Sequence, residues 1–172
     1  MSGPDHLIRL VRRHHQAGLL LDTNLLVLFA IEAADPIYAR TWKRTMQFTE
    51  AHAALLALAV REARKVITTP HVLAETTNLI MSDDASGHPA RRRAAEIVRE
   101  FAITREERHV EARHAAQDRS FLRLGLADAA QVTLTARRRR IPLVLTVDGP
   151  LTIEMEARGL PCANLNHFMF DT

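Results

Sequence analysis

The sequence has few of the residues that build disulfide, zinc or base-stacking sites. Cys162 is the single cysteine, so no intrachain disulfide can form, and the nine histidines have no cysteine partners at the spacing of a zinc site. Aromatic residues make up 5% of the chain, which argues against a platform on which nucleic-acid bases stack. These scarcities predict a protein in which a metal ion is optional.

Long uninterrupted apolar segments are also missing. The longest apolar stretch, residues 19–34, contains Asp22, Asn24 and Glu32, whereas a membrane-spanning helix needs about 20 predominantly apolar residues with few or no charges. No small-residue cleavage site follows the basic residues near the N-terminus. We therefore expect no membrane span, no export signal and a cytoplasmic location.

Lysine is nearly absent, and arginine supplies almost all of the positive charge. Lys43 and Lys65 are the only lysines of a chain with a formal net charge of +3 and a pI near 9.7. Because guanidinium groups match phosphate geometry, this bias favours a phosphate-bearing partner, although it is also typical of an arginine-rich genome. The 172 residues, 47% hydrophobic and 25% charged, fit one folded domain.

Strand-like and helix-like segments alternate along the chain. Short apolar runs indicate strands at residues 19–21, 66–68, 141–147 and 161–166, with residues 109–111 as a weaker candidate. Helical spacing covers residues 5–16, 24–33, 37–65, 70–81, 90–103, 112–124, 127–139 and 150–158. Strands joined by helices form parallel sheets covered on both faces. We predict a three-layer α/β/α domain over residues 19–172, with a mainly parallel sheet of four or five short strands, after a helical extension over residues 1–18.

Four acidic residues stand in unusually apolar surroundings. Asp22 and Asp148 directly follow apolar strands, Glu75 lies one turn into a predicted helix, and Asp128 precedes two alanines in another. Ligands of open parallel sheets bind outside the carboxyl ends of the strands, so these acids are candidates to converge there. Converging carboxylates repel each other unless protons or a divalent cation offset the charge, and oxygen-only ligation favours Mg²⁺ or Mn²⁺.

Each acid also has a simpler explanation when it is taken alone. Asp22, Asp128 and Asp148 could cap the helices that follow them, and Glu75 could pair with an arginine. The joint pattern of four acids at the ends of separate elements is more specific than any one of them.

Four segments around these acids resemble the signature segments of PIN-domain ribonucleases. They are residues 19–24 (LLLDTN), 69–75 (TPHVLAE), 126–129 (LADA) and 145–148 (LTVD). The resemblance covers residues 19–168, and both the order of the four segments and the residues next to each acid match the family. It departs from the small toxin members of that family at residues 35–65, which form a longer stretch here.

The resemblance implies a ribonuclease that hydrolyses RNA phosphodiester bonds with Mg²⁺ or Mn²⁺, and it implies that the metal is held by Asp22, Glu75, Asp128 and Asp148. It implies that Asp22 and Asp148 bind the metal directly, Asp128 directly or through water, and that Glu75 positions water at the metal. Thr23, Asn24 and Thr146 are then candidates to orient the carboxylates. By the same resemblance, the protein is expected to form a homodimer through its apolar helices and could be the toxin of a toxin-antitoxin pair, with an antitoxin protein as partner.

Other polar residues have two interpretations each. Arg137, Arg138, Arg139 and Arg140 could bind an RNA backbone or stabilise a helix C-terminus, and the run at residues 91–93 could bind RNA or face solvent. A non-catalytic RNA-binding or protein-interaction module with the same fold remains the alternative function. A phosphatase fits poorly, because Asn24 stands where a dehalogenase-like site needs a second aspartate.

Overall fold

The fold was determined as a computed structural model, which describes residues 3–82, 87–137 and 141–169. The helices in chain order are α1 (Gly3–Arg13), α2 (Thr23–Ala34), α3 (Pro36–Ala39), α4 (Glu50–Glu62), α5 (Pro70–Met81), α6 (Pro89–Thr104), α7 (Ala112–Ala116), α8 (Phe121–Leu124), α9 (Leu126–Ala136) and α10 (Gly149–Ala157). The strands are β1 (Leu19–Leu21), β2 (Val66–Thr68), β3 (Glu106–Glu107), β4 (Leu143–Thr146) and β5 (Cys162–Asn164), and a 3-10 helix (Leu165–Phe168) follows β5.

The described strands form one parallel sheet in the order β3-β2-β1-β4-β5. β1 lies at the centre, where Leu20 pairs with Ile67 of β2 on one side and with Val144 of β4 on the other. Gly18, directly before β1, has a φ of +106°, a value that favours glycine. The predicted α/β class and the mainly parallel sheet of short strands are confirmed.

Alternate residues of the strands belong to two separate apolar clusters. Leu19 and Leu21 point into a cluster that includes Leu7 of α1, Leu25 of α2 and Leu56 of α4. On the other face, Leu20, Ile67 and Val144 pack with Val132 of α9 and with Leu151 and Met155 of α10. This period of two places helices on both faces and makes the three layers.

The helix α1 contributes to the same core as the sheet. Leu7 and Val11 are 0% and 2% exposed and belong to the cluster around β1. Arg12 at the end of α1 also bonds to Glu62 at the end of α4, with a nitrogen–oxygen distance of 2.7 Å. The division of the chain at residue 18 stays a prediction.

The helical spacing of residues 37–65 allows one long helix or two shorter ones, and the structure has two; the helix predicted over residues 112–124 is interrupted. Residues 37–65 form α3 and α4 with turns between them, because Arg40 donates to the carbonyl of Phe48 (3.0 Å) and Thr45 donates to that of Ala39 (2.8 Å). Residues 112–124 divide into α7 and α8, because Asp118 accepts bonds from the amide (2.9 Å) and the hydroxyl (2.7 Å) of Ser120. Both interruptions are side-chain hydrogen bonds that apolar spacing does not reveal.

The weakest predicted strand is wrong in position. Residues 109–111 are not in the sheet, and β3 lies earlier, where Ile67 pairs with Glu106 and Thr68 with Glu107. Both glutamates are exposed at the edge of the sheet, and Glu106 bonds to Lys65 and Arg108. A charged edge strand has no apolar pattern to detect.

Of the helices in the described part of the chain, none combines the length and apolar character that crossing a membrane requires.

Candidate functional site

The carboxyl ends of β1 and β4 bring two of the predicted acids to one place. The two strands are neighbours with Leu21 paired to Leu145, and the amide of Asp22 donates to the carbonyl of Leu145 at 3.0 Å. Asp22 caps α2 and Asp148 caps α10, so each carboxylate lies where a strand turns into a helix. The two simple capping roles and the convergence at the sheet edge therefore coexist.

Asp22 is buried and held by hydrogen bonds on both carboxylate oxygens. It is 2% exposed; Oδ1 accepts from the amide of Leu25 (2.7 Å), and Oδ2 accepts from the hydroxyl of Thr146 and the amide of Val147 (3.3 Å). Burial raises the pKa of Asp22 to about 6, although these three hydrogen bonds act in the opposite direction. The fold thus keeps an ionisable group in a place where its charged form is destabilised.

Thr146 connects two of the acids. Its hydroxyl donates to Oδ2 of Asp22 and accepts from the amide of Asp148 at 2.9 Å, and it is fully buried. Oδ1 of Asp148 accepts from the amide of Leu151 at 2.6 Å. The side chain of Thr146 therefore fixes the spacing between the end of β1 and the start of α10.

Glu75 reaches the cluster from α5. Its Oε2 accepts a hydrogen bond from the hydroxyl of Thr23 at 2.8 Å, and Thr23 is the first residue of α2, next to Asp22. Thr69 caps α5 by accepting from the amide of Val72 (3.3 Å), which sets the direction in which the first turns of the helix project. Thr23 thus ties the third acid to the first.

Asp128 lies in the first turn of α9, close enough to the other three acids to respond to them. Burial raises the pKa of Asp128 to about 7, and the charges of Asp22, Asp148 and Glu75 contribute to the rise. Its Oδ1 accepts from Nε2 of Gln131 at 3.2 Å. The four acids, which come from separate parts of the chain, share one electrostatic neighbourhood.

The site also includes Gln131, a residue that the sequence pattern does not indicate. It is 0% exposed, and its Oε1 has no hydrogen-bond partner among the described residues. The spacing of three residues from Asp128 on one helix is the available signal, because residues at this spacing share a helix face. Asn24, by contrast, is exposed, and no hydrogen bond joins it to the acids in the described part of the chain.

The composition of this cluster suits a hard divalent cation. All four side chains are carboxylates, the ligands that Mg²⁺ and Mn²⁺ prefer. Burial first, and then the charges of the other three acids, raise the pKa of Asp128, and a cation would offset those charges. Within residues 3–82, 87–137 and 141–169, however, no three His, Cys, Asp or Glu side chains already stand in an arrangement that would hold an ion. Hydrogen bonds within the fold hold the carboxylates, so metal binding would need these side chains to move.

Arg137 and Arg91, one described arginine from each run, lie away from the acidic cluster. Arg137 is exposed at the end of α9, the end remote from Asp128, and residues 138–140 lie outside the described residues. Arg91 is fully buried: its Nε donates to the carbonyl of Ile80 (2.6 Å), a second nitrogen donates to that of Ser82, and its guanidinium lies 5.3 Å from the ring centre of Trp42. Arg91 closes the end of α5 and is not available to RNA.

His71 stands one turn before Glu75 but forms no part of a ligand group among the described residues. Its Nδ1 is buried with no hydrogen-bond partner in the same part of the chain. Burial, and then the nearby His109, lower the pKa of His71, which keeps the ring neutral.

Comparisons of the chain with protein-family models, with curated protein sequences and with solved structures returned no match, so function has to be inferred from the residues described above.

Proposed function

We propose that this protein is a metal-dependent endoribonuclease that hydrolyses RNA phosphodiester bonds at the acidic cluster, in the manner of the PIN-domain ribonucleases that its sequence resembles. One observation carries the proposal: carboxylates from four separate elements gather beyond the carboxyl ends of the neighbouring strands β1 and β4. Thr146 bonds to both Asp22 and Asp148, and Thr23 bonds to Glu75. The charges of these three acids add to the effect of burial in raising the pKa of Asp128. Repulsion between crowded carboxylates opposes folding, and such clusters are typical of functional sites.

We assign a separate role to each residue of the cluster. Asp22, Asp128 and Asp148 would hold Mg²⁺ or Mn²⁺, and Glu75, fixed by Thr23, would hold the attacking water. Thr146 would keep Asp22 and Asp148 in register. When bound, the metal would neutralise charge on the scissile phosphate and lower the pKa of the attacking water.

Cleavage of labelled single-stranded RNA tests the proposal. Purified protein should produce fragments with Mn²⁺ or Mg²⁺ and none with EDTA, and Asp22→Asn and Asp148→Asn should each reduce the rate by at least about 100-fold. Asn caps a helix about as well as Asp. In Asp22→Asn, however, one acceptor of the buried carboxylate becomes an NH2 donor that faces other donors, so circular dichroism and thermal unfolding must show that each variant is folded before its rate is compared.

Asp35→Asn is the matched control. Asp35 also caps a helix, α3, by accepting from the amides of Ile37 and Tyr38 (both 3.0 Å), but it is not among the charges that act on Asp128. This variant should cleave at the wild-type rate. Undiminished cleavage by Asp22→Asn or Asp148→Asn, in protein free of contaminating nuclease, would remove the acidic cluster from the chemistry.

A non-catalytic module that binds RNA or protein is the second candidate function. It is favoured by the lack, within the described residues, of three ligand side chains already arranged around an ion position. Thermal unfolding with Mn²⁺ separates the two candidates, because a ligand that binds only the folded state raises the melting temperature. A nuclease should be stabilised by Mn²⁺, with the effect lost in Asp148→Asn; a module without a metal site should not respond.

The proposal extends to partners and setting. We propose a homodimer formed through α2, α3 and α4, which is supported by the exposed apolar side chains Ile37 and Met46 (80% and 60% exposed) near these helices. We also propose a cytoplasmic location, and a role as the toxin of a toxin-antitoxin pair with a cognate antitoxin protein.

A further inference from the structure

Cations collect at the amino ends of the strands, on the side of the sheet opposite the acidic cluster. His15 and Gln16 lie between α1 and β1, and Arg64 and Lys65 lie between α4 and β2. These four residues line a cavity of about 460 Å³. A second cavity of about 360 Å³ shares His15 and Gln16 and adds Arg13 at the end of α1. We call this surface, formed by Arg13, His15, Gln16, Arg64 and Lys65, the basic edge.

Part of the charge on the basic edge is not neutralised by the protein. Lys65 pairs with Glu106, and the neighbouring Arg12 pairs with Glu62. Arg13 and Arg64 are exposed, and in the described ranges neither forms an ion pair. Two guanidinium groups beside concave surface are therefore free to bind an anion.

Helix stabilisation accounts for only some of these cations. Arg12 and Arg13 lie in the last turn of α1, where positive charge stabilises the helix macrodipole. Arg64 lies beyond the C-cap residue Ala63 of α4, and among the described residues its side chain forms no hydrogen bond to the last carbonyls of that helix. The convergence of Arg64 with the end of α1 is a property of the tertiary fold.

The surface suits a nucleic-acid backbone better than a membrane. An amphipathic helix that binds a bilayer inserts its apolar face, but in α1 that face is occupied, since Leu7 and Val11 are buried in the core. Arginine forks beside a groove are suited to phosphates.

We propose that the basic edge binds the phosphate backbone of single-stranded RNA. One part of the RNA is anchored there while another part of the same RNA reaches the acidic cluster. This inference rests on the proposed function for its choice of RNA. The acidic cluster repels RNA, so an anchor elsewhere on the molecule supplies attraction that the cluster lacks. From His15 to Asp22 the chain spans seven residue steps, at most about 25 Å. A stacked strand with about 3.4 Å per nucleotide covers that straight distance with about seven nucleotides. The path over the helices that cover β1 is longer and needs more nucleotides.

Binding of a labelled 20-nucleotide RNA in EDTA, measured by fluorescence anisotropy at several KCl concentrations, tests the anchor without cleavage. Arg13→Gln with Arg64→Gln should weaken binding at least tenfold and reduce the slope of log K against log[KCl] by about 1.4, which is about 0.7 for each phosphate that the variant no longer neutralises. The matched control is Arg92→Gln with Arg93→Gln, two exposed arginines of α6 that form no ion pair in the described ranges. The control should keep the wild-type slope.

The outcomes separate this inference from the proposed function. With Mn²⁺, the basic-edge variant should cleave the 20-nucleotide RNA more slowly but a four-nucleotide RNA at the wild-type rate. If the wild type binds RNA with the predicted slope change but cleaves nothing, the anchor stands and the nuclease fails. If both double variants give the same slope, the anchor is overturned, and binding of the wild type to phosphatidylserine vesicles in place of RNA would overturn it as well.

Discussion

At the scale of single residues, one buried polar side chain of α9 bonds to the acidic cluster and another lies on the opposite side of the helix. Gln131 donates to Asp128, while Thr133 is 3% exposed and its hydroxyl has no partner among the described residues. At 100° per residue, Gln131 lies on the face of Asp128, and Thr133 lies on the opposite side of the helix. The pair allows the role of Gln131 in positioning Asp128 to be separated from ordinary effects of buried polarity.

Gln131→Met should weaken Mn²⁺ binding by about 10- to 100-fold, because a partner that orients a metal ligand has effects of this size. Without metal, the melting temperature should stay close to that of the wild type, since the variant loses the hydrogen bond to Asp128 but also removes a buried oxygen that lacks a donor in the described part of the chain. The measurement is the melting temperature against Mn²⁺ concentration. Thr133→Val removes a buried hydroxyl from the same helix and should leave the Mn²⁺ response unchanged; an unchanged response in Gln131→Met would mean that Asp128 does not depend on it.

At the scale of elements, an ion pair joins the turn between α7 and α8 to α10. Both oxygens of Asp118 accept from Arg158, at 2.7 and 2.8 Å, and both side chains are largely buried (16% and 15% exposed). The hydrogen bonds from Arg158 hold the pKa of Asp118 well below its usual range. A group whose pKa is lowered by folding adds stability above its unfolded pKa and loses it as the pH falls.

Asp118→Asn should therefore lower the free energy of unfolding by about 1 to 3 kcal/mol at pH 7, and the difference from the wild type should shrink as the pH falls below about 4. Urea unfolding at pH 7 and at pH 3 measures both values. Glu111→Gln is the control: Glu111 and Arg113 are also 2.7 Å apart but 58% and 71% exposed. An exposed pair contributes about 0 to 1 kcal/mol, so an equal loss in both variants would contradict the importance of burial here.

The same elements explain what could and could not be predicted from the sequence. The strands β1, β2 and β4 were predictable because their apolar residues are buried on both faces, and Pro70 after Thr69 marked the start of α5. Strand β3 was not, since Glu106 and Glu107 are exposed.

Residues with several hydrogen-bonding options were the hardest to assign from the sequence. The acids followed from their positions at strand ends, but the roles of Arg91 and Gln131 depend on neighbours that are distant along the chain or on the rotamer of a partner side chain. Arg91 lies 11 residues along the chain from Ile80, whose carbonyl accepts its hydrogen bond. Charged residues are mostly exposed, so the sequence predicts a solvated arginine, and only the tertiary packing buries Arg91.

At the scale of the whole molecule, the proposed homodimer has a direct test. Light scattering after gel filtration should give about twice the chain mass of 19.3 kDa. Ile37→Glu with Met46→Glu should shift the protein to the monomer mass, because burying two carboxylates in an apolar interface is unfavourable. Ile153→Glu on α10 is the control, since Ile153 is as exposed as Met46 (60%) but lies on the other face of the sheet. A monomer mass for the wild type would dispose of the dimer.

The opposite placement of the acidic cluster and the basic edge contributes a dipole moment along the strand direction. Such a molecule experiences a torque as well as a force near a polyanion, so it turns its basic edge forward before contact. Because the two sites are separated, the net charge of +3 represents neither the negative charge at the acidic cluster nor the positive charge at the basic edge. The protein should be retained by both cation- and anion-exchange media at low ionic strength, each holding it in the opposite orientation.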